Sequence, residues 1–316
     1  YIYSYAKKIF KNEFDFKLFK LPIHLQEILQ HTSPTILSFS NYSWNLELGY
    51  TFAFLAKQRD PNVIIIFGGP NFPADEKEKL DFLKKKPAID FYIELEGELG
   101  FVDLVKALSK NDFNAEQLKK HGKKIINTCY IYDGQLITGS IERIKDINII
   151  PSPYLTGALD QYFQLPLIPM IETTRGCPFT CTFCADGLAI KSKINRYETQ
   201  RTREELQYIA KNINKVDELI VTDLNFGMYK QDMETAKEIA NIQKNYNYPV
   251  SVDAPAGKNM PKRIINIASI MKGWSMGGVI QSSDPGVLKA IKRSNISIDA
   301  YQDLIDFGNK QKANRT

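Results

Sequence analysis

Val63-Ile64-Ile65-Ile66-Phe67-Gly68-Gly69-Pro70-Asn71 sets an unbroken apolar run directly against a glycine pair. A run with no polar alternation suits a parallel strand buried on both faces, and the glycines end it. Thr35 to Phe39 has the same character. Between the two runs Trp44, Leu48, Phe52, Leu55 and Ala56 recur at helical spacing until Asp60-Pro61 stops the helix. Ile89 to Glu94 reads as a third strand and Gly97 to Leu108 as the helix after it. The alternation predicts an α/β fold built on a doubly wound parallel sheet. Ligands of such sheets sit beyond the carboxyl ends of the strands. Here those ends are Ser40 to Asn45, Gly68 to Asn71 and Glu94 to Glu98. The glycine pair fits either a plain turn or the close approach of a large flat or phosphorylated ligand, since no Cβ stands in the way.

Residues 111–165 differ in character and read as a linker. Cys129 to Ile137 is a hairpin pattern with Asp133-Gly134 at its turn, and Pro151, Pro153, Pro166 and Pro169 stiffen the passage after it. The expected domains are therefore 1–110, the linker, and 166–316. In the last, strands are expected at Leu167 to Thr174, Glu218 to Asp223, Val250 to Asp253 and Met276 to Ile280. Helices fall near 203–213, 232–245, 261–271, 285–292 and 299–311. Repeated strand-helix units suggest part of a barrel with its reactive groups at the carboxyl ends of the strands.

Composition bounds the chemistry. The 316 residues carry 41 basic and 36 acidic side chains, a net charge of +5 that is too small and dispersed to mark a nucleic-acid surface. Lys84-Lys85-Lys86 is accounted for by a solvated face. No apolar run approaches the roughly 20 residues needed to span a bilayer. Three of the four cysteines fall within eight residues, unlike a disulfide framework, so a reducing, cytoplasmic setting is expected.

Those three lie in Arg175-Gly176-Cys177-Pro178-Phe179-Thr180-Cys181-Thr182-Phe183-Cys184, just after the first strand of the second domain. CxxxCxxC spacing lets three thiolates hold three irons of one cubane cluster, while Gly176 and Pro178 keep the segment out of a helix. The fourth iron then stays open to chelate a small molecule. A zinc site would need a fourth ligand in paired spacing, but the remaining Cys129 lies 48 residues before Cys177 and His121 further away still.

The segment resembles the signature of the radical S-adenosylmethionine (SAM) superfamily, CxxxCxΦC with an aromatic Φ, and Phe183 stands at Φ. The resemblance runs from Ile168 to about Asn295. It implies that Cys177, Cys181 and Cys184 hold a 4Fe–4S cluster and that SAM binds the open iron. Cleavage of SAM by one electron from the cluster would give a 5′-deoxyadenosyl radical, with Phe183 against the adenine. Asp223 and Asn225 match the place that holds the methionine amine, although the usual Gly-Gly-Glu is absent; Asn225-Phe226-Gly227 also suits an Asx turn. Gln281, Ser282 and Ser283 match the place that holds the ribose, and Ser283 or Asp284 equally suits a helix N-cap.

Ahead of this segment, the sequence resembles the flavodoxin-like cobalamin-binding domain of cobalamin-dependent radical SAM enzymes. The resemblance implies that Ser40, Asn41, Ser43, Gly68, Gly69, Asn71, Glu96 and Gly97 contact the corrin. No DxHxxG motif is present, and His24 and His31 read as ordinary surface histidines, so cobalt would carry no protein histidine. The family implies three cofactors, the cluster, SAM and cobalamin, and methyl transfer to an unactivated carbon by way of the deoxyadenosyl radical and methylcobalamin. The alternatives are a radical cyclisation or rearrangement without methyl transfer, and a cobalamin-binding sensor with an inert cluster. An external electron donor and a substrate that is a small molecule, or a natural-product or cell-envelope intermediate, are expected as partners. Superfamily members close a partial TIM-like barrel of six strands, of which four are visible here. The opening Tyr1 to Phe10 reads as a helix where relatives have a strand. The chain is therefore expected to be an internal piece of a longer protein.

Overall fold

The computed structural model describes residues 1–257, 259–274 and 280–313, which divide into two compact units, 1–145 and 146–316.

In the first unit α1 (Ile2–Phe10) and α2 (Pro22–His31) precede β1 (Ile36–Ser40), α3 (Leu46–Arg59), β2 (Ile64–Gly68), α4 (Glu76–Lys85), β3 (Phe91–Ile93) and α5 (Gly97–Ser109). Local chemistry sets the ends of these elements. Pro22 opens α2, and the Asp75 carboxylate caps the Lys77 and Glu78 N–H groups of α4, whose last turn carries Lys84 and Lys85. The short α6 (Ala115–Lys120) leads into the hairpin β4 (Thr128–Tyr132) and β5 (Gln135–Thr138). Asp133 and Gly134 turn it with φ of 47° and 71°, the paired positive values that tight hairpins need.

The strands form one sheet in the order β1-β2-β3-β4-β5. β1, β2 and β3 are parallel, with Ile36 opposite Ile64 and Ile66 opposite Phe91. β4 then runs antiparallel to β3, Tyr92 facing Cys129. The hairpin expected in a linker is thus an integral edge of this sheet, and the compact unit extends to Lys145 and not to residue 110. The three expected strands are parallel, and the expected hairpin adds an antiparallel pair at the β3 edge, a pairing that strand patterns in the sequence do not encode.

Between α3, α4 and the sheet lies a core of Leu37, Ala53, Val63, Ile65, Phe67, Leu83, Tyr92 and Cys129. Of the apolar stripe expected of the 44–56 helix, Ala56 packs against this core and Phe52 is half-buried, whereas Trp44 precedes α3 and is 78% exposed, and Leu48 and Leu55 are also exposed. Only Ala53 of α3 is fully buried.

The second unit holds β6 (Met170–Ile171), β7 (Thr174–Arg175), β8 (Asn195–Arg196), α7 (Thr199–Asn212), β9 (Glu218–Val221), α8 (Lys230–Tyr246), β10 (Ser251–Asp253), α9 (Pro261–Ile270), α10 (Pro285–Ala290) and α11 (Ile298–Ala313). β6, β9 and β10 are parallel neighbours, Met170 beside Ile220 and Ser251 beside Glu218. Leu206, Ile209, Leu219, Val221, Ile239 and Ile267 pack between these strands and α7, α8 and α9. The single strand expected over 167–174 is broken after Ile171, and Thr174 and Arg175 pair antiparallel with Asn195 and Arg196 instead. An isolated parallel bridge joins Val252 of β10 to Trp274. The strand expected at 276–280 lies outside the described residues apart from Ile280. Among the described residues, β6, β9 and β10 form an open parallel sheet.

Gly69 has φ of +133°, and a Cβ there would sit 2.6 Å from the Asn41 carbonyl oxygen. Gly69→Ala is expected to cost about 1–3 kcal/mol, as backbone forced into a sparsely populated region does. Urea unfolding of the full chain followed by circular dichroism measures it, and an unchanged midpoint would contradict the close approach.

Candidate active site

The cysteine loop leaves β7 through Gly176, whose φ is +109° and whose missing Cβ would lie 2.5 Å from the Lys193 carbonyl oxygen. That contact and the bond from Cys177 N–H to the Lys191 carbonyl, 3.0 Å, fold the 188–193 stretch back over the first cysteine. Cys184 N–H donates to the Cys181 carbonyl at 3.2 Å and Gly187 N–H to the Cys184 carbonyl at 2.9 Å, so the last two cysteines share one tight turn. Cys177 and Cys181 are buried and Cys184 is half-buried; none is in a disulfide. Among the described residues no three His, Cys, Asp or Glu side chains converge on a single ion. A cubane needs its thiolates on separate irons instead. Cys129 stands apart in the core of the first unit, where burial above all pushes its thiol well above the ordinary range.

Beside the loop is a cavity of about 270 Å3 lined by Cys177, Phe183, Cys184, Leu224, Gln281 and Arg293, with Pro255 to Gly257 and parts of α9 and α11 completing the wall. That volume falls just below the roughly 300–1,000 Å3 of pockets that enclose drug-sized ligands. Phe183 exposes half of its ring, at 52%. Asp186, also on the wall, is paired with Lys191 at 2.9 Å. Arg293 is 9% exposed and donates to Asn295 Oδ1 at 3.0 Å. Sequence reading missed Arg293, because an arginine just past a helix looks like a surface cation until the turn at 291–292, closed by Arg293 N–H on the Leu288 carbonyl, folds it inward.

Asp223 and Asn225 flank Leu224 at the end of β9 and take different tasks. Asp223 Oδ1 accepts the N–H groups of Thr173 and Thr174, at 2.7 and 3.0 Å, and Oδ2 accepts the Thr173 hydroxyl. Its carboxylate is thus committed to the chain just ahead of the cysteines. Asn225 is 3% exposed; its Nδ2 donates to Cys177 Sγ at 3.4 Å and its Oδ1 is buried with no protein partner. No Asx turn forms. The Met228 N–H is taken by the Asn225 backbone carbonyl at 3.2 Å, and Gly227, with φ of +88°, supplies the bend.

Of the residues expected near the ribose, Gln281 reaches the cavity. Ser282 Oγ accepts from Asp284 N–H at 3.1 Å, and Asp284, not Ser283, caps α10 by accepting from Val287 N–H at 2.8 Å.

In the first unit most of the residues expected around the corrin are engaged within the unit. Asn41 Nδ2 donates to the Asn71 carbonyl at 2.6 Å and to the Tyr92 hydroxyl at 2.9 Å, and Asn71 Nδ2 returns a bond to Asn41 Oδ1 at 3.1 Å. Tyr92 Oη donates to the Gly69 carbonyl at 3.0 Å. Glu96 accepts from Arg143 Nε and the Ile144 N–H, 3.0 and 2.5 Å away, clamping the chain that leaves β5. A Cβ on Gly97 would lie 2.4 Å from Ile2 Cδ1, so this glycine lets α1 pack on α5. Gly68 is half-buried, and a Cβ there would lie 3.1 Å from the Ile93 carbonyl oxygen. Ser40 and Ser43 are exposed at the end of β1, Ser40 Oγ accepting from Asn45 Nδ2 at 3.2 Å.

The loop, the cavity beside it and the parallel strands that position both coincide with a match of residues 171–310 to the Radical SAM superfamily model. Residues 171–310 carry a radical SAM domain. The cobalamin-dependent radical SAM methyltransferase TokK of Streptomyces tokunonensis is 30% identical over 286 residues, 86% of this chain and 40% of TokK. The 2-(S-pantetheinyl)-carbapenam-3-carboxylate methyltransferase of Streptantibioticus cattleyicolor is 29% identical, over 90% of this chain and 43% of that enzyme. The chain thus spans about two-fifths of the length of these relatives. The fold matches the radical SAM methyltransferase TsrM of Kitasatospora setae with a TM-score of 0.67 at 12% identity, over 98% of this chain and 62% of TsrM. Both matched enzymes reach well ahead of residue 171, so the first unit shares in the relationship. Among the described residues no helix is long and apolar enough to cross a membrane.

Burial raises the Asp223 pKa from 3.8 to about 7, against the hydrogen bonds from Thr173 and Thr174 that lower it; the nearby Asp232 charge adds to the rise. The folded chain therefore holds this proton more tightly than the unfolded one. The stabilising contribution is complete below about pH 4 and fades as pH rises toward 7. Asp223→Asn keeps an acceptor for both amides and removes the titration. Its urea midpoint relative to the wild type is expected to climb from pH 4.5 to 7.5; a constant difference would contradict the raised pKa.

Proposed function

We propose that this chain holds a 4Fe–4S cluster on Cys177, Cys181 and Cys184, binds SAM in the adjoining cavity and cobalamin on the first unit, and acts as a cobalamin-dependent radical methyltransferase. The observation that carries the reading is the meeting of two of the three signature cysteines, the signature Phe183 and a buried arginine in one cavity. The residues present fit the ligands. Arg293 offers a cation to a carboxylate, the unpartnered Asn225 Oδ1 offers a buried acceptor to an ammonium, and Phe183 offers a ring face to a purine. The loop also has the right donor set, three soft thiolates, with Cys177 fixed by its bond to the Lys191 carbonyl and Cys181 and Cys184 by the turn they share.

When bound, the cluster supplies an electron to SAM and cobalamin carries the methyl group; the protein supplies position and exclusion of water. Gly176 and the Lys191 carbonyl fix Cys177, while Leu224, Ile264 and Leu304 give the cavity apolar walls. On the first unit, the exposed Ser40 and Ser43 are the groups proposed to meet a corrin at the strand ends, beside Gly68, which has no side chain to block its approach. Asn41, Asn71 and Tyr92 hold the loops that present them. No histidine is proposed for cobalt: His24 and His31 lie on α2, none of whose residues is buried. The substrate proposed is a small molecule with an unactivated carbon, as the carbapenam named for one relative suggests, and the electron donor is external.

Anaerobic reconstitution is expected to give one four-iron cluster per chain. It should be lost on changing Cys177, Cys181 or Cys184 to Ala and kept in Cys129→Ala, as counted by iron and sulfide analysis. Zinc in place of iron, or dependence on Cys129, would overturn the reading. With methyl-labelled SAM, label in a small-molecule product supports methyl transfer, whereas an unlabelled cyclised product supports the rearrangement alternative.

A further inference from the structure

Asn225 is oriented in an unusual way. Its amide N–H points at Cys177 Sγ, 3.4 Å away, while its carbonyl oxygen, the stronger hydrogen-bonding end, is buried without a protein donor. Leaving a buried acceptor unmet is costly, so the arrangement makes sense where the sulfur needs a donor and a ligand meets the oxygen. Reversing the amide would set Oδ1 against the sulfur, two negative ends together once Cys177 is a thiolate.

The backbone holds this orientation. Asn225 lies in the turn four residues past the end of β9, its carbonyl accepts the Met228 N–H at 3.2 Å, and the next residue, Phe226, is fully buried with its N–H on the Pro255 carbonyl at 2.9 Å. A Cβ on Gly257 would lie 3.2 Å from the Asn225 carbonyl oxygen, so the 255–257 stretch closes over the turn. The amide has little room to leave the sulfur.

We propose that Asn225 is a positioning residue for electron transfer: its Nδ2–H hydrogen-bonds the Cys177 thiolate and thereby raises the reduction potential of the cluster. When the oxidised cluster takes one electron from a low-potential donor, no bond breaks, and the added charge spreads over iron and sulfur. A donor on one thiolate therefore favours the reduced form. The inference rests on the proposed cluster, and it assigns to Asn225 a role that the backbone turn at 225–227 does not need.

The test uses the reconstituted full chain, with dithionite as reductant and the midpoint read by electron paramagnetic resonance. Asn225→Leu, close in size and without a donor, is expected to reconstitute with the wild-type iron content and a more negative midpoint. Asn225→Asp, which replaces the donor with an acceptor, should move it further the same way. Equal midpoints at equal iron content would overturn the inference. Wild-type chain with 15N in its asparagine amides supplies a reading that needs no variant. A nitrogen coupling to the reduced cluster is expected, and its absence would overturn the inference even if the variants failed to load. Loss of the cluster from the wild type itself would instead count against the proposed function.

Discussion

The acceptor role of Asp223 is the constraint on which the second unit turns. One buried carboxylate gathers two successive N–H groups and a hydroxyl from Thr173 and Thr174. Those residues lie where the chain stops pairing with β9 and begins to pair with β8. Without a shared acceptor, that change of partner would leave buried backbone donors unmet, which folded chains avoid. With it, the end of β9 and the start of the cysteine loop form one rigid corner. Gly176 and Cys177 leave that corner in a fixed direction, and Leu224, between the two polar residues, faces the cavity. The alternation Asp223-Leu224-Asn225 thus gives three successive residues separate jobs: anchor, wall and sulfur ligand partner.

The first unit uses the same device with neutral groups. Asn41 and Asn71 exchange side-chain and backbone bonds between the loops after β1 and β2, and Tyr92 on β3 ties both to the Gly69 carbonyl. Phe72 stacks on the Tyr92 ring with centroids 3.7 Å apart, shielding these bonds from water. The carboxyl ends of three parallel strands are therefore locked together by their own side chains. A surface preorganised in this way binds a rigid ligand without spending free energy on ordering its loops.

Much of this was legible in the sequence. Continuous apolar runs located β1, β2 and β9, Asp133-Gly134 located the hairpin turn, and the spacing of Cys177, Cys181 and Cys184 pointed to the chemistry. What the sequence could not show is which polar residue near a strand end faces a ligand and which serves the fold. Asn41, Asn71, Glu96 and Asp223 all carry groups suited to binding, yet each is occupied by partners 30 to 50 residues away. Residue type and position along a strand do not encode such long-range pairing. Strand direction was hidden for the same reason: Cys129 to Tyr132 reads as a strand whichever way it runs, and only its pairing with β3 makes it antiparallel.

Arg293 lines the cavity and Asn225 adjoins Leu224 and Cys177, which also line it, and both are bonded within the fold. Arg293 holds Asn295 Oδ1 through Nε and brings a full positive charge to the cavity wall. Asn225 spends its donor on sulfur and keeps its acceptor. Both are nearly sealed from water, where an added polar partner is worth more than at an exposed surface. Under the proposed function the ligand of that cavity is a zwitterion with an amine and a carboxylate on one carbon, the two groups that could chelate the open iron of a three-thiolate cluster. A buried acceptor such as Asn225 Oδ1 favours a ligand that brings it a donor over a molecule of equal size that brings none.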